Sequence, residues 1–237
     1  MKIYKLGLLA FITVFLFSCE KKTENLSRPT YYVAFEILGD NPAIVQVGQP
    51  YTDAGVKATI NGQDVTSKVK ISNDVNFEEM GMYKVVYSGI NEDGLESSAV
   101  RDVIVCNPAV TTDISGVWNV SLDDTYRLSA GPTIVNYGGP GYTVRITRLA
   151  PGFYSVSDFL AGWYSIRTYP QYMPLSAMIG NFSMDEDNNI SLIYSFIGLW
   201  EDGVDFLEDA FYDPENETVE WVTGYAGSMV FYVKLTK

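Results

Sequence analysis

The feature that most constrains this chain is its punctuation. Short apolar and β-branched runs alternate with Gly, Pro, Asn and Asp turn signals along almost the whole length, and no long helical period is evident. Tyr31 to Leu38 ends at Gly39-Asp40-Asn41-Pro42, and Ile44 to Val47 ends at Gly48-Gln49-Pro50. Val56 to Ile60 runs into Asn61-Gly62. Val69 to Ile71 and Val75-Asn76-Phe77 follow. Tyr83 to Tyr87 and Val100 to Val105 flank Asn91-Glu92-Asp93-Gly94. About seven short strands with regular turns predict an antiparallel sandwich over residues 30–108.

The rhythm restarts after Asn107-Pro108. Ile114 to Leu122, Tyr142 to Thr147 and Phe153 to Val156 read as strands. So do Gly180 to Met184, Ile190 to Ile197, Phe206 to Tyr212, Thr218 to Val222 and Met229 to Leu235. A meander of eight or so strands predicts an antiparallel β-barrel or β-sandwich over residues 109–237. The whole chain reads as all-β.

The first residues are different. Lys2 and Lys5 precede an almost unbroken apolar run from Leu6 to Phe17, too short to span a bilayer and suited to a signal peptide. Leu16-Phe17-Ser18-Cys19 resembles the lipobox of bacterial lipoproteins, with Phe17 where small residues are usual. The resemblance implies a signal peptide of residues 1–18, a diacylglycerol thioether on Cys19 and acylation of its amine. Two or more acyl chains give stable anchoring, which a single chain does not. Residues 19–29, opening Cys19-Glu20-Lys21-Lys22, read as a polar lipidated tether. Such openings resemble those of Bacteroidota-type envelope lipoproteins, which implies the outer membrane, at the cell surface or on the periplasmic face.

Charge and composition exclude several functions. The chain has 16 basic and 29 acidic side chains, net −13, and loss of Lys2 and Lys5 makes it more negative still. A nucleic-acid partner needs a basic footprint, so none is expected. There is no histidine, which removes Ser-His-Asp and Cys-His nucleophilic machinery and His-based metal sites. With Cys19 lipidated, Cys106 stands alone and reads as a small buried hydrophobe. No cofactor and no catalytic set is expected.

Three segments carry a resemblance to bacterial surface Ig-like repeats. Val47-Gly48-Gln49-Pro50-Tyr51-Thr52-Asp53-Ala54-Gly55-Val56 is similar to their V-G-x-x-Y-x-D-x-G-V segment. Gly81 to Tyr87 and Arg101 to Val105 resemble their G-x-Y-x-V-x-Y and R-x-V-x-V strands. The resemblance implies an Ig-like sandwich that serves as spacer or interaction module. Asp53 is weighed as a calcium ligand and read instead as fixing a turn through its own backbone. Further on, Gly116-Val117-Trp118 is similar to the G-x-W opening of lipocalin-like barrels, where a basic residue packs over the Trp; Lys234 is the expected partner. Asp185-x-Asp187-x-Asn189 lacks the turn Gly and distal Glu of a calcium loop and reads as a hairpin turn.

One stretch stands out as a ligand site. Phe159 to Tyr172 is poorly periodic and rich in rings, with Trp163, Tyr164, Tyr169 and Tyr172 beside Arg167 and Gln171. Trp and Tyr on loops offer flat faces with polar edges, suited to sugar rings. Trp200, before Glu201-Asp202-Gly203, reads as a second part of the same platform. The layout of anchor, tether, Ig-like module and terminal β domain resembles accessory outer-membrane lipoproteins of glycan-uptake systems. That implies non-catalytic glycan binding through the C-terminal domain. The alternatives are a structural or adhesive protein meeting another outer-membrane protein, and a lipocalin-like carrier of a small apolar ligand.

Overall fold

A computed structural model describes residues 29–129, 133–139 and 141–237. The lipobox and Cys19 lie outside the described residues.

The first module has seven strands. They are β1 (Ala34–Ile37), β2 (Ala43–Gln46), β3 (Val56–Ile60), β4 (Gln63–Asp64), β5 (Lys70–Asn73), β6 (Gly81–Ile90) and β7 (Glu96–Cys106). They form two sheets, β1-β3-β4 and β2-β7-β6-β5. Asn61 and Gly62 both take positive φ, 48° and 77°, which is the backbone that a two-residue hairpin between β3 and β4 demands. One pairing departs from the antiparallel expectation: β2 runs parallel to β7. The chain crosses from one sheet to the other between β1 and β2, and the Asn41 side chain pins the crossing to β7. It donates to the Val100 carbonyl at 3.2 Å and accepts from the Asp102 N–H at 2.9 Å. Val75-Asn76-Phe77, expected as a strand, is irregular, because Asn73 and Asn76 side chains capture the N–H groups of Val75 and Glu78.

Tyr51 and Asp53, Tyr87 and Arg101, drawn from the three Ig-like motif segments, meet at one buried point. Arg101 is only 1% exposed, and its Nε lies 3.0 Å from the Asp53 carboxylate. Tyr51 and Tyr87 hydroxyls donate to the same carboxylate at 2.9 and 2.8 Å, and the Gly55 N–H donates at 3.1 Å. Arg101 also donates to the carbonyls of Leu38, Asp40 and Gly55. Asp53 thus fixes its own turn and neutralises a buried guanidinium. Every one of these groups is satisfied by a partner, which is what a buried ion pair requires.

The second part adds β8 (Gly116–Val120), β9 (Tyr126–Leu128), β10 (Ile134–Asn136), β11 (Thr143–Ala150) and β12 (Phe153–Val156). Then come β13 (Met178–Met184), β14 (Ile190–Ile197), β15 (Phe206–Asp213), β16 (Thr218–Tyr225) and β17 (Met229–Thr236). All ten belong to one antiparallel sheet in the order β10-β9-β17-β8-β11-β12-β13-β14, with β16 on β17 and β15 on β16. Strand β17 is shared: Val230 to Tyr232 pair with β9, and Leu235 and Thr236 pair with β8. A bridge between Asn189 and Phe211 brings β15 back to the start of β14. The sheet therefore curls on itself as a half-barrel. Short β9 and β10 carry too few residues to show a period and escape sequence reading.

Rings fill the inside of the curl. Trp118, Tyr154, Phe159, Phe182, Trp221 and Phe231 are fully buried. The indole N–H groups of Trp118 and Trp221 donate to the carbonyls of Ile114 and Phe159, both at 2.9 Å. Such packing argues against a carrier with an open apolar interior. The cation over Trp118 is Lys237, with Nζ 4.0 Å from the ring centroid. Lys234 was the expected one, but it instead pairs with Glu220 at 3.1 Å across β16 and β17. Strand alternation explains the exchange: Leu235 faces in, so Lys234 faces out. Asp185 accepts from the N–H groups of Asp187 and Asn189 at 3.0 and 2.8 Å, as a hairpin turn should. The two parts share a small apolar cluster of Ile104, Cys106, Ala150 and Phe153, with Cys106 buried as expected.

Candidate functional site

The site is built on a buried carboxylate. Strand β12 delivers Asp158, 4% exposed, just beyond its end. Its oxygens accept from the N–H groups of Leu160, Gly162 and Met178 at 2.9, 3.1 and 3.3 Å, and from the Ser165 hydroxyl at 2.5 Å. Four donors around one carboxylate force the chain into a tight reversal. Ala161 and Gly162 both have positive φ, and a Cβ on Gly162 would lie 2.8 Å from the Tyr142 ring, so glycine is required there. Burial pushes the Asp158 carboxyl up from its ordinary pKa, opposed by its hydrogen bonds.

The reversal launches a π-helical turn, Trp163–Thr168. The N–H groups of Arg167 and Tyr169 reach back five residues to Gly162 and Tyr164, at 3.0 and 2.8 Å. A π-helical turn of this kind is rare and recurs at functional sites. Here it sends Trp163 inward and Tyr164 toward the rim.

Trp163 is 3% exposed and offers no open ring face. It packs edge-on against Tyr137 and Phe231 at 5.0 and 5.7 Å. The guanidinium groups of Arg127 and Arg167 lie over its ring at 4.4 and 4.1 Å. Arg167 also donates to the Tyr137 carbonyl at 2.8 Å.

The other expected rings do meet. Tyr164, 8% exposed, stacks on Tyr169 at 5.9 Å and meets Trp200 edge-on at 4.9 Å. Tyr169 touches Trp200 at 5.7 Å and Tyr172 at 6.4 Å. Trp200 and Tyr172 form the open part, 42% and 48% exposed. Trp200 is held in place from both sides. The Leu199 N–H donates to Leu175 at 2.9 Å, and the Ile197 N–H donates to Asp202 at 2.8 Å.

Sequence reading missed Tyr225. It lies at the end of β16, 5.8 Å from Tyr164 and 6.3 Å from Trp200, and its hydroxyl donates to Asp202 at 2.9 Å. Burial, and then the Asp202 carboxylate, hold that hydroxyl protonated well beyond the ordinary phenol range. No local signal marks it; only the curl of β16 brings it to the cluster. The result is an aromatic platform with buried roots, an exposed Trp-Tyr face and one carboxylate at its edge. Among the described residues no group of acids or Cys is placed to hold a metal ion.

Two family models match the chain. One, described as a bacterial surface protein Ig-like domain, spans residues 35–105. The other, a C-terminal domain model, spans residues 107–237, more than half the chain. No curated protein matches. Among solved structures, the crystal structure of the lipoprotein BT2262 from Bacteroides thetaiotaomicron is 32% identical. The match covers 87% of this chain and 100% of that one, with a TM-score of 0.47. The structure of CBM51-2, in complex with GlcNAc, and INT domains from Clostridium perfringens ZmpB is 19% identical. It covers 52% of this chain and 31% of that one, with a TM-score of 0.28. Identity and coverage, rather than superposition, establish the kinship: this chain belongs to the family of the Bacteroides lipoprotein BT2262.

Proposed function

We propose that this chain is a non-catalytic envelope protein, anchored by lipid at Cys19, that captures glycan at the outer cell surface. In this reading residues 30–108 are a spacer, and residues 109–237 carry the site. The observation that carries it is the ring platform: Tyr164, Tyr169 and Tyr225 form a rigid base under the exposed faces of Trp200 and Tyr172. Flat apolar faces held rigidly, with hydrogen-bonding edges, match the apolar faces and hydroxyl rims of sugar rings. Kinship with a lipoprotein and the lipobox support the anchor. A chain with no histidine has few means of activating a nucleophile.

A glycan array probed with the protein, followed by calorimetric titration of any hit, tests the reading. Trp200→Ala should weaken binding by about 2 kcal/mol, roughly thirtyfold, as a central aromatic contact does. Trp163→Ala is unsuited as a binding control, because the ring is core and its loss should cost about 3–5 kcal/mol of stability. A blank array, or a hit that Trp200→Ala leaves intact, would refute the platform.

A second reading draws on a different surface. Met173, Leu175, Ile179 and Tyr194 are exposed on β13, β14 and the loop before them, a face suited to another outer-membrane protein. Crosslinking in intact cells that returns this chain alone would count against it.

A further inference from the structure

The ring platform has a cationic side that the glycan reading does not use. Arg127 lies directly opposite Phe231 and Val135 in the ladder. Phe231 is fully buried and Val135 packs on the core, so Arg127 points into the curl rather than away from it. An inward-facing guanidinium normally has a carboxylate partner. Among the described residues Arg127 has none: its Nη1 donates to the Met229 thioether sulfur at 3.1 Å, and its buried Nε has no acceptor. Arg167 lies over the same indole and donates only to the Tyr137 carbonyl. Among the described residues neither arginine forms an ion pair, in a chain with far more acidic than basic side chains. Asp202, the acid of the ring cluster, is engaged by Tyr225.

Two guanidinium groups lie over one ring, and among the described residues neither has a counter-charge. The Tyr164 hydroxyl shares the Met229 sulfur with Arg127, at 3.5 Å, and the Tyr164 ring lies against Trp200. Arg127 is therefore continuous with the platform through Met229 and Tyr164. Guanidinium is the side chain best matched to planar anionic oxygens, which it binds in bidentate fashion.

We propose that Arg127, with Arg167 over the same indole, receives an anionic oxygen of the ligand that lies across Tyr164 and Trp200, so that the site selects acidic glycans. This rests on the glycan reading above. The shared chemistry is a carboxylate or a sulfate ester on the sugar. An unpaired arginine that gains a charge-assisted contact should raise affinity about tenfold or more.

The test is calorimetric titration of the protein with three short probes of equal length: oligogalacturonate, a sulfated galacto-oligosaccharide and the neutral galacto-oligosaccharide. Short probes limit repulsion from the net-negative body. At least one acidic probe should bind about tenfold tighter than the neutral one, and which one binds distinguishes carboxylate from sulfate. Arg127→Gln should erase the preference, and Arg167→Gln should reduce it several-fold. Thermal midpoints report whether each variant folds. If Arg127→Gln does not fold, Arg167→Gln and the probe comparison decide. Equal binding of acidic and neutral probes, or an acid preference that survives Arg127→Gln, overturns the proposal and leaves the platform standing. Silence toward all three probes overturns the acidic preference, and a blank glycan array beside it overturns the platform as well.

Discussion

Asp158 organises the platform, and its removal should show this quantitatively. The carboxylate is buried and accepts four hydrogen bonds, three from backbone N–H groups and one from Ser165. Asp158→Ala leaves those three N–H groups without acceptors inside the loop. Each such orphan costs about 1–3 kcal/mol, while partial relaxation and removal of the buried charge return some of it. A net loss of about 4 kcal/mol is expected. Asp158→Asn keeps one oxygen. That oxygen still serves Leu160 and Met178, and Ser165 can turn its hydroxyl to accept from the new amide. Only Gly162 is then left facing a donor, so the loss should be about 2 kcal/mol. Urea unfolding followed by tryptophan fluorescence and circular dichroism measures both. Because Asp158 holds the turn that bears Tyr164 and Tyr169, glycan affinity should fall along with stability. Less than about 1 kcal/mol lost in Asp158→Ala, or an unchanged affinity at full folding, would refute the role given to this carboxylate.

Two further outcomes follow from the same structure. Burial raises the Asp158 carboxyl above its unfolded value of 3.8, so its contribution is most favourable below that pH and declines as pH rises through the folded pKa. The stability difference between the wild type and Asp158→Asn should therefore shrink with rising pH above about 4, and a difference that grows instead would contradict it. In the Ig-like module, Asp53→Ala removes the acceptor of Tyr51, Tyr87, Gly55 and Arg101 and leaves a buried guanidinium unpaired. It should cost about 3–5 kcal/mol, measured by denaturant unfolding of the module's transition, whereas the partly solvated pair Lys234–Glu220 should contribute little when cut.

The legibility of this protein followed the range of the forces involved. Turn residues act locally, so Asn61-Gly62 and Asp185 to Asn189 could be read from sequence and are hairpin turns in the structure. The three Ig-like segments could be found by their resemblance to known surface repeats. That Tyr51, Asp53, Tyr87 and Arg101 share one buried network could not, because β3, β6 and β7 must first pack. The platform shows the same division. Composition picked out Tyr164, Tyr169, Tyr172 and Trp200, which the structure joins. It also picked out Trp163, which the structure buries, because a π-helical turn and a simple loop look alike in sequence. Lys234 and Lys237 lie three residues apart, and only strand register decides which one covers Trp118.

By itself the sequence determined the all-β class, the Ig-like module, the excess of negative charge and the lack of histidine chemistry. These depend on local turn propensity, residue pattern and composition, which are properties of the chain alone. Only the tertiary structure decided which rings face solvent, that Tyr225 joins them, and that Arg127 points inward with no counter-charge among the described residues. Those depend on contacts between strands far apart in sequence, where the curl of one sheet sets both burial and electrostatic neighbours.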